Sequence, residues 1–203
     1  MRGSLWLPFP SLFLFIFRVN DKKQQLYAKF RFGFIRKFKT IGEVPYIYQL
    51  SDCFTLFYFQ FLKSGQYSDQ GTWMHLLTTN TCTTWRSLAF ERLCFAHLQP
   101  IKHKLGISGI LTNTCSYYSN QAQVDMVIDR ADRAVTVCEM KFSERPYVIT
   151  KSEWDKIEER LNVVQQHFKR KTLFFAMVTT NGLAKNKYSI NYVQQEITLE
   201  DFF

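Results

Sequence analysis

Two carboxylates and an ammonium stand where strand periodicity can bring them together. Asp125 interrupts an otherwise apolar run, QVDMVI at residues 123–128, and Glu139 and Lys141 lie in a second run, AVTVCEMK at residues 134–141. A spacing of two on a strand puts Glu139 and Lys141 on one face. If the two runs pair about a polar turn at residues 129–133, Asp125 comes close to Glu139 across the ladder. Carboxylates held that close repel unless a cation lies between them, and hard oxygen donors suit Mg²⁺ or Mn²⁺. Such an ion activates water and neutralises charge developing on a phosphate, while a neighbouring ammonium orients the water or stabilises that charge. The pattern therefore supports metal-dependent cleavage of phosphate esters, with Asp125 and Glu139 as ligands and Lys141 as the assisting group.

Further residues extend this set. Glu91 falls on the buried side of the helix expected upstream and adds a third carboxylate to the catalytic and metal-binding group. Gln123 lies two residues before Asp125 on the same strand face, placed to hydrogen-bond the nucleophile or the substrate. Lys169 and Arg170, at the basic end of a second helix, are candidate substrate-phosphate contacts, although a solvated helix C-terminus accounts for them as well. An isolated E-x-K on a strand is usually an exposed ion pair; the strand-embedded Asp and the helical Glu raise the reading above that. The five cysteines (Cys53, Cys82, Cys94, Cys115 and Cys138) include no C-x-x-C pair, which argues against a disulfide framework and suits a reducing cytoplasm. His97 and His103 have no Cys or carboxylate at a spacing that completes a tetrahedral zinc site.

The elements that must position these groups follow from the same periodicities. A helix over residues 84–98 carries Glu91, with Trp85, Leu88, Ala89, Leu93 and Ala96 as apolar positions and Pro100 beyond its end. The connection LGISGIL leads to the hairpin. Ser152 with Asp155 resembles a capping box for a long helix whose buried stripe is Trp154, Ile157, Leu161, Val164 and Phe168. A strand over 173–178, a turn at Asn181-Gly182 and a last strand near 188–193 precede the tail LEDFF. Helix, hairpin, helix, strand and strand make an α/β unit around a small mixed sheet.

Upstream, Ser51 and Asp52 are N-cap candidates for a helix whose apolar face is Phe54, Phe57, Tyr58 and Phe61. Residues 64–80 read as a polar loop. The segment LWLPFPSLFLFIF at 5–17 is interrupted by Pro8 and Pro10, is short for a bilayer span and lacks a small-residue cleavage site. A short membrane-associating stretch, part of a core and a leader foreign to the rest are the readings it leaves open. The 203 residues allow one domain with a real core plus appendages. A hydrophobic fraction of 46% with 21% charged residues excludes a disordered chain. The net charge of +9 favours polyanions; part of it lies in a basic run over residues 22–39.

Several blocks carry a family resemblance: FERLCFAHLQPIKHKLGISGI, QVDMVIDRADRAVTVCEMKFS, ITKSEW, VTTNGLAKNKYS and ITLEDFF. Together they resemble the C-terminal domain of a family of archaeal and bacterial AAA-type ATPases (the DUF234-like group), a domain similar to PD-(D/E)xK nucleases. The resemblance covers nearly everything after Thr83. It implies an α/β restriction-endonuclease-like core, a mixed sheet flanked by helices, with a short helical N-terminal remnant. It matches Glu91 to the family's helix Glu, Asp125 to its motif Asp, and Glu139 and Lys141 to its E-x-K; Gln123 and Asp125 match its Gln-x-Asp. GFIRKF resembles the end of the family's winged-helix segment, and YQLSDCFTLFYFQFL the section after it. No G-x-x-x-x-G-K-[ST] occurs, so ATPase activity is not expected of this chain.

The organisation expected is an atypical leader at 1–30, a winged-helix remnant and helical linker at 31–80, and a nuclease-like domain at 81–203. The function implied is that of a cytoplasmic Mg²⁺- or Mn²⁺-dependent endonuclease acting on DNA as the C-terminal part of an AAA-type ATPase. A catalytically inactive nucleic-acid-binding or regulatory module is the alternative. Nucleic acid is the expected partner, with a separate ATPase or self-association as further ones and no firm membrane partner.

Overall fold

The alternating runs of residues 123–141 form a hairpin at the centre of a mixed sheet. The computed structural model describes residues 35–42, 46–50, 52–63, 65 and 69–203. The leader at 1–30, the basic residues before 35, and Ser51 lie outside the described residues. Seven strands run in the order β2-β1-β3-β4-β5-β6-β7: β1 (Ile35–Gly42), β2 (Tyr46–Leu50), β3 (Thr112–Tyr118), β4 (Gln123–Arg130), β5 (Ala134–Lys141), β6 (Thr172–Thr179) and β7 (Gln195–Thr198). Pairing is antiparallel for β1 with β2, β3 with β4 and β4 with β5; it is parallel for β1 with β3, β5 with β6 and β6 with β7. The helices are α1 (Cys53–Phe57, continued by a π-turn at Tyr58–Leu62), α2 (Gln70–Leu77), α3 (Asn80–Ala96), α4 (Leu98–Lys104), α5 (Lys151–His167) and α6 (Lys187–Tyr192), followed by a 3₁₀ turn at Leu199–Phe202.

Strand alternation divides the core into two layers, so the protein is α/β with helices on both faces of its sheet. Met126, Ile128, Cys138 and Met140 pack with Phe90 and Cys94 of α3 and Ile101 of α4. Val127, Val135 and Val137 pack with Ile157 and Val164 of α5. Coverage from both sides explains why seven of the eight residues of β5 are buried. No described helix is long and apolar enough to cross a membrane.

Several elements differ from the sequence expectation, each for a local reason. The segment expected to be a helical remnant opens with the β1–β2 hairpin, and β1 joins β3, so the sheet extends across residue 80. Residues 64–80 are not simply a loop, because Asp69 caps α2 by accepting from Thr72 N at 2.8 Å. The face expected over Phe54, Phe57, Tyr58 and Phe61 breaks up: Phe54 is 68% exposed and Phe61 1%. A five-residue backbone bond from Lys63 N to Tyr58 O shifts the helical phase there. Helix α3 begins earlier than expected, capped by Thr79, and its sheet-facing side is Phe90 and Cys94. Trp85 turns to Phe57 and Phe61 instead, at 5.5 and 5.8 Å. With neighbours on two sides, α3 has no single apolar stripe.

Pro100 lies in the first turn of α4, where its missing N–H costs nothing. Strand β3 was not expected, because TNTCSYY has too little apolar content to suggest one. The capping box of α5 is Thr150 with Glu153, two residues before the expected pair: Thr150 has the extended backbone a cap requires, and its hydroxyl accepts from Glu153 N. The last strand is not at 188–193. Asn186 accepts from Tyr188 N and Ser189 N and starts α6 there, and the strand follows at Gln195–Thr198 with Ile197 buried. The turn at Asn181-Gly182 stands: Gly182 has φ +78°, and a Cβ there would lie 2.9 Å from Glu196 Oε1.

Candidate active site

A bulge in β4 sets the position of Asp125. Cys115 pairs with Val127 and Tyr117 with Val124, so three steps on β4 match two on β3. The extra residue falls opposite Ser116, whose hydroxyl donates to the Asp125 carbonyl at 2.8 Å. The bulge reverses the strand's alternation, a common device where a side chain must be re-aimed: Val124 packs in the α5 layer and Met126 in the α3–α4 layer. On the other side, registered pairing of β4 with β5 ends at Met126 and Cys138. Just beyond it, Asp125 Oδ2 accepts the backbone N–H of Met140 at 3.1 Å. The carboxylate thus takes the place of a ladder carbonyl and is fixed beside the E-x-K.

Glu139 and Lys141 continue the parity of Val135 and Val137, which places them on the face covered by α5. Lys141 Nζ donates to Glu139 Oε1 at 2.7 Å. Arg160 Nη1, from α5, donates to the same oxygen at 2.5 Å. The Glu139 side chain is 3% exposed, whereas those of Lys141 and Arg160 are 32% and 33% exposed. A buried carboxylate is therefore covered by two cations that both reach solvent.

The electrostatics link all four expected catalytic residues. Burial and the Glu139 charge push the Asp125 carboxyl up to about 7, against the pull of Lys141, the Met140 N–H and Arg160. Burial and the Asp125 charge push Glu91 up to about 8, opposed by Lys141 and Arg92. Burial alone would lower Lys141, but Glu139 and Asp125 outweigh it and hold the ammonium above its ordinary range. Asp125 and Glu91 are enclosed by protein yet each keeps an edge open to solvent. The structure thus brings Glu91, Asp125, Glu139 and Lys141 within electrostatic reach of one another.

The expected substrate contacts are placed differently. Gln123 is exposed, and its Nε2 donates at 2.7 Å to the Tyr118 hydroxyl, which itself feels the charges of Glu91 and Asp125. Gln123 therefore borders the site through Tyr118. Lys169 and Arg170 are exposed after α5, and the next residue, Lys171, pairs with Asp129 and donates to the Arg130 carbonyl at 3.0 Å. That anchors the basic end at the β4–β5 turn, the opposite end of β5 from Lys141 and roughly 20 Å of strand away. Helix α5 runs back from the chemistry, so its C-terminal cations cannot line the same pocket as the E-x-K.

Arg160 was missed in the sequence, as was Tyr147, whose hydroxyl bonds Glu153 and which senses the charges of Glu139 and Arg160. The signal for Arg160 was available: it stands three residues after Ile157 and four before Val164, beside the buried stripe. A charge there needs a buried partner, and Glu139 on the covered strand is one.

The donor chemistry fits a hard divalent ion. Two neighbouring carboxyls, Asp125 and Glu91, resist ionisation where they stand, and positive charge between them would relieve that cost. Among the described residues no group of three or more His, Cys, Asp or Glu is assembled to hold a metal. Ions such as Mg²⁺ are commonly held by one or two carboxylates and water, and carboxyl oxygens are the donors this cluster offers. Comparison with known protein families, with curated proteins and with solved structures finds no match for this chain.

Proposed function

We propose that the chain is a metal-dependent nuclease of PD-(D/E)xK type acting on DNA, and that its mixed sheet is a restriction-endonuclease-like core. The observation that carries this reading is the convergence of Asp125, at a strand bulge, with the buried Glu139, its Lys141 partner and the Glu91 carboxyl. Nothing in packing a sheet requires those four groups together, and each adds a burial cost that an apolar residue would avoid. Asp125 and Glu139 are the residues that would hold Mg²⁺ or Mn²⁺, and Glu91, beside Asp125, would support the same metal site. The ion, when bound, supplies water activation and charge neutralisation at phosphorus. Lys141 keeps its proton at Nζ and offers it to a phosphate oxygen. The net charge of +9 draws the polyanion in. Operation as the C-terminal part of an AAA-type ATPase rests on the resemblance in the sequence blocks.

A second reading is a catalytically silent nucleic-acid-binding or regulatory module. It is favoured by the double neutralisation of Glu139, because Lys141 and Arg160 occupy the oxygen a cation would take. Incubating the full chain with single-stranded, double-stranded and branched DNA in Mg²⁺ or Mn²⁺ separates the two. The nuclease reading expects cutting that stops with EDTA and with Glu139→Ala. Intact binding without cutting on every substrate moves the function to the silent module.

A further inference from the structure

Glu139 needs one cation to balance its charge and has two. Lys141, two residues along the strand, is already within 2.7 Å of Oε1. Arg160 reaches the same oxygen from a different element, across 21 residues of sequence. Its position on α5 is fixed by Ile157 and Val164, both buried against the sheet, so the guanidinium is held over the end of β5. Only Nη1 of Arg160 has a hydrogen-bonded partner among the described residues. The rest of its fork, a shape suited to two oxygens of one phosphate, belongs to a side chain of which 33% is exposed. Lys141 is exposed to the same extent, on the same oxygen.

We propose that Arg160 is a phosphate-contacting residue of this site, forming with Lys141 a cation pair that grips a phosphodiester of nucleic acid. The inference rests on the nuclease reading for its ligand class, but not on turnover. Glu139 serves as the template that holds both cations side by side before the polyanion arrives. A guanidinium preorganised in this way loses less entropy on binding than a free surface arginine.

The test is the affinity of the full chain for a fluorescein-labelled DNA duplex in EDTA, measured by anisotropy at several salt concentrations. Arg160→Gln is expected to weaken binding about tenfold and to lower the salt slope by about one. Arg160→Lys is expected to keep the slope and recover part of the affinity. Melting curves of both variants confirm that folded protein is compared. Unchanged affinity and slope in Arg160→Gln overturns the proposal and leaves Arg160 a structural partner of Glu139, as does a wild-type chain that binds no duplex. The two readings fail separately. Arg160-dependent binding without cleavage in Mg²⁺ rejects the nuclease and keeps the phosphate contact; cleavage with Arg160-independent binding does the reverse.

Discussion

Asp125→Asn is expected to abolish metal-dependent cleavage while raising the melting temperature of the metal-free protein at pH 8. The loss of activity follows from removing one of the two carboxylates that hold the cation. Metal stabilisation of transition-state charge is worth several kcal/mol, so the rate falls by about 10³-fold or more. The gain in stability follows from linkage. Asp125 is pushed up to about 7 in the folded protein from its ordinary value of 3.8. The folded state therefore binds more protons than the unfolded chain between those values, and stability falls as pH rises through that window. Glu91, pushed up to about 8, extends the fall further. At pH 5 the folded wild type keeps Asp125 protonated, and Asn resembles it closely, even accepting from Met140 N. At pH 8 only the wild type bears the ionised group. Allowing for the solvent that Asp125 still meets, the difference is about 1–2 kcal/mol, a rise of roughly 3–6 °C in melting temperature. Thermal scans in EDTA at pH 5 and pH 8 check this. A variant that melts lower than the wild type at both values contradicts it.

The second large effect concerns the two cations on Glu139. Lys141→Met or Arg160→Met alone leaves the other cation on Oε1, and each is a third exposed. Each single change is expected to cost about 1 kcal/mol. Removing both leaves a carboxylate with 3% of its side chain exposed and no cation. A stranded buried charge costs about 3–5 kcal/mol, so the double variant falls well below the sum of the singles. Urea unfolding at neutral pH measures the cycle. Adding Glu139→Gln to the double variant is expected to restore most of the loss. Strictly additive single effects sink the idea that the cations share one oxygen in solution.

The parts of this molecule that were legible in the sequence are those where one face or one type of neighbour decides. β4, β5 and β6 read correctly because their runs are rich in apolar, strand-favouring residues bounded by polar turns, and α5 because Trp154, Ile157 and Val164 repeat at helical spacing. The approach of Asp125 to Glu139 followed from the hairpin, since the short turn between Arg130 and Ala134 fixes which residues oppose one another. Elements failed where tertiary neighbours overrode local pattern. β3 is built of Thr, Asn, Ser and Tyr and becomes a strand because β1 and β4 flank it. Trp85 left its expected stripe for a second aromatic neighbour, and Asn186 turned an apparent strand into a helix. The β4 bulge could not be read from period-two alternation, which it breaks. Arg160 was marked only by its place beside the buried stripe of Ile157 and Val164; the identity of its partner, 21 residues away on another element, has no local signature.

Mn²⁺ binding to the full chain, followed by the electron paramagnetic resonance of the free ion, tests the centre most directly, because no substrate need be known. Saturable binding to the wild type is predicted, with loss of the site in both Asp125→Asn and Glu139→Gln. Absence of binding to the wild type, or binding that persists unchanged in both variants, would contradict the assignment of Asp125 and Glu139 as a cation-holding pair.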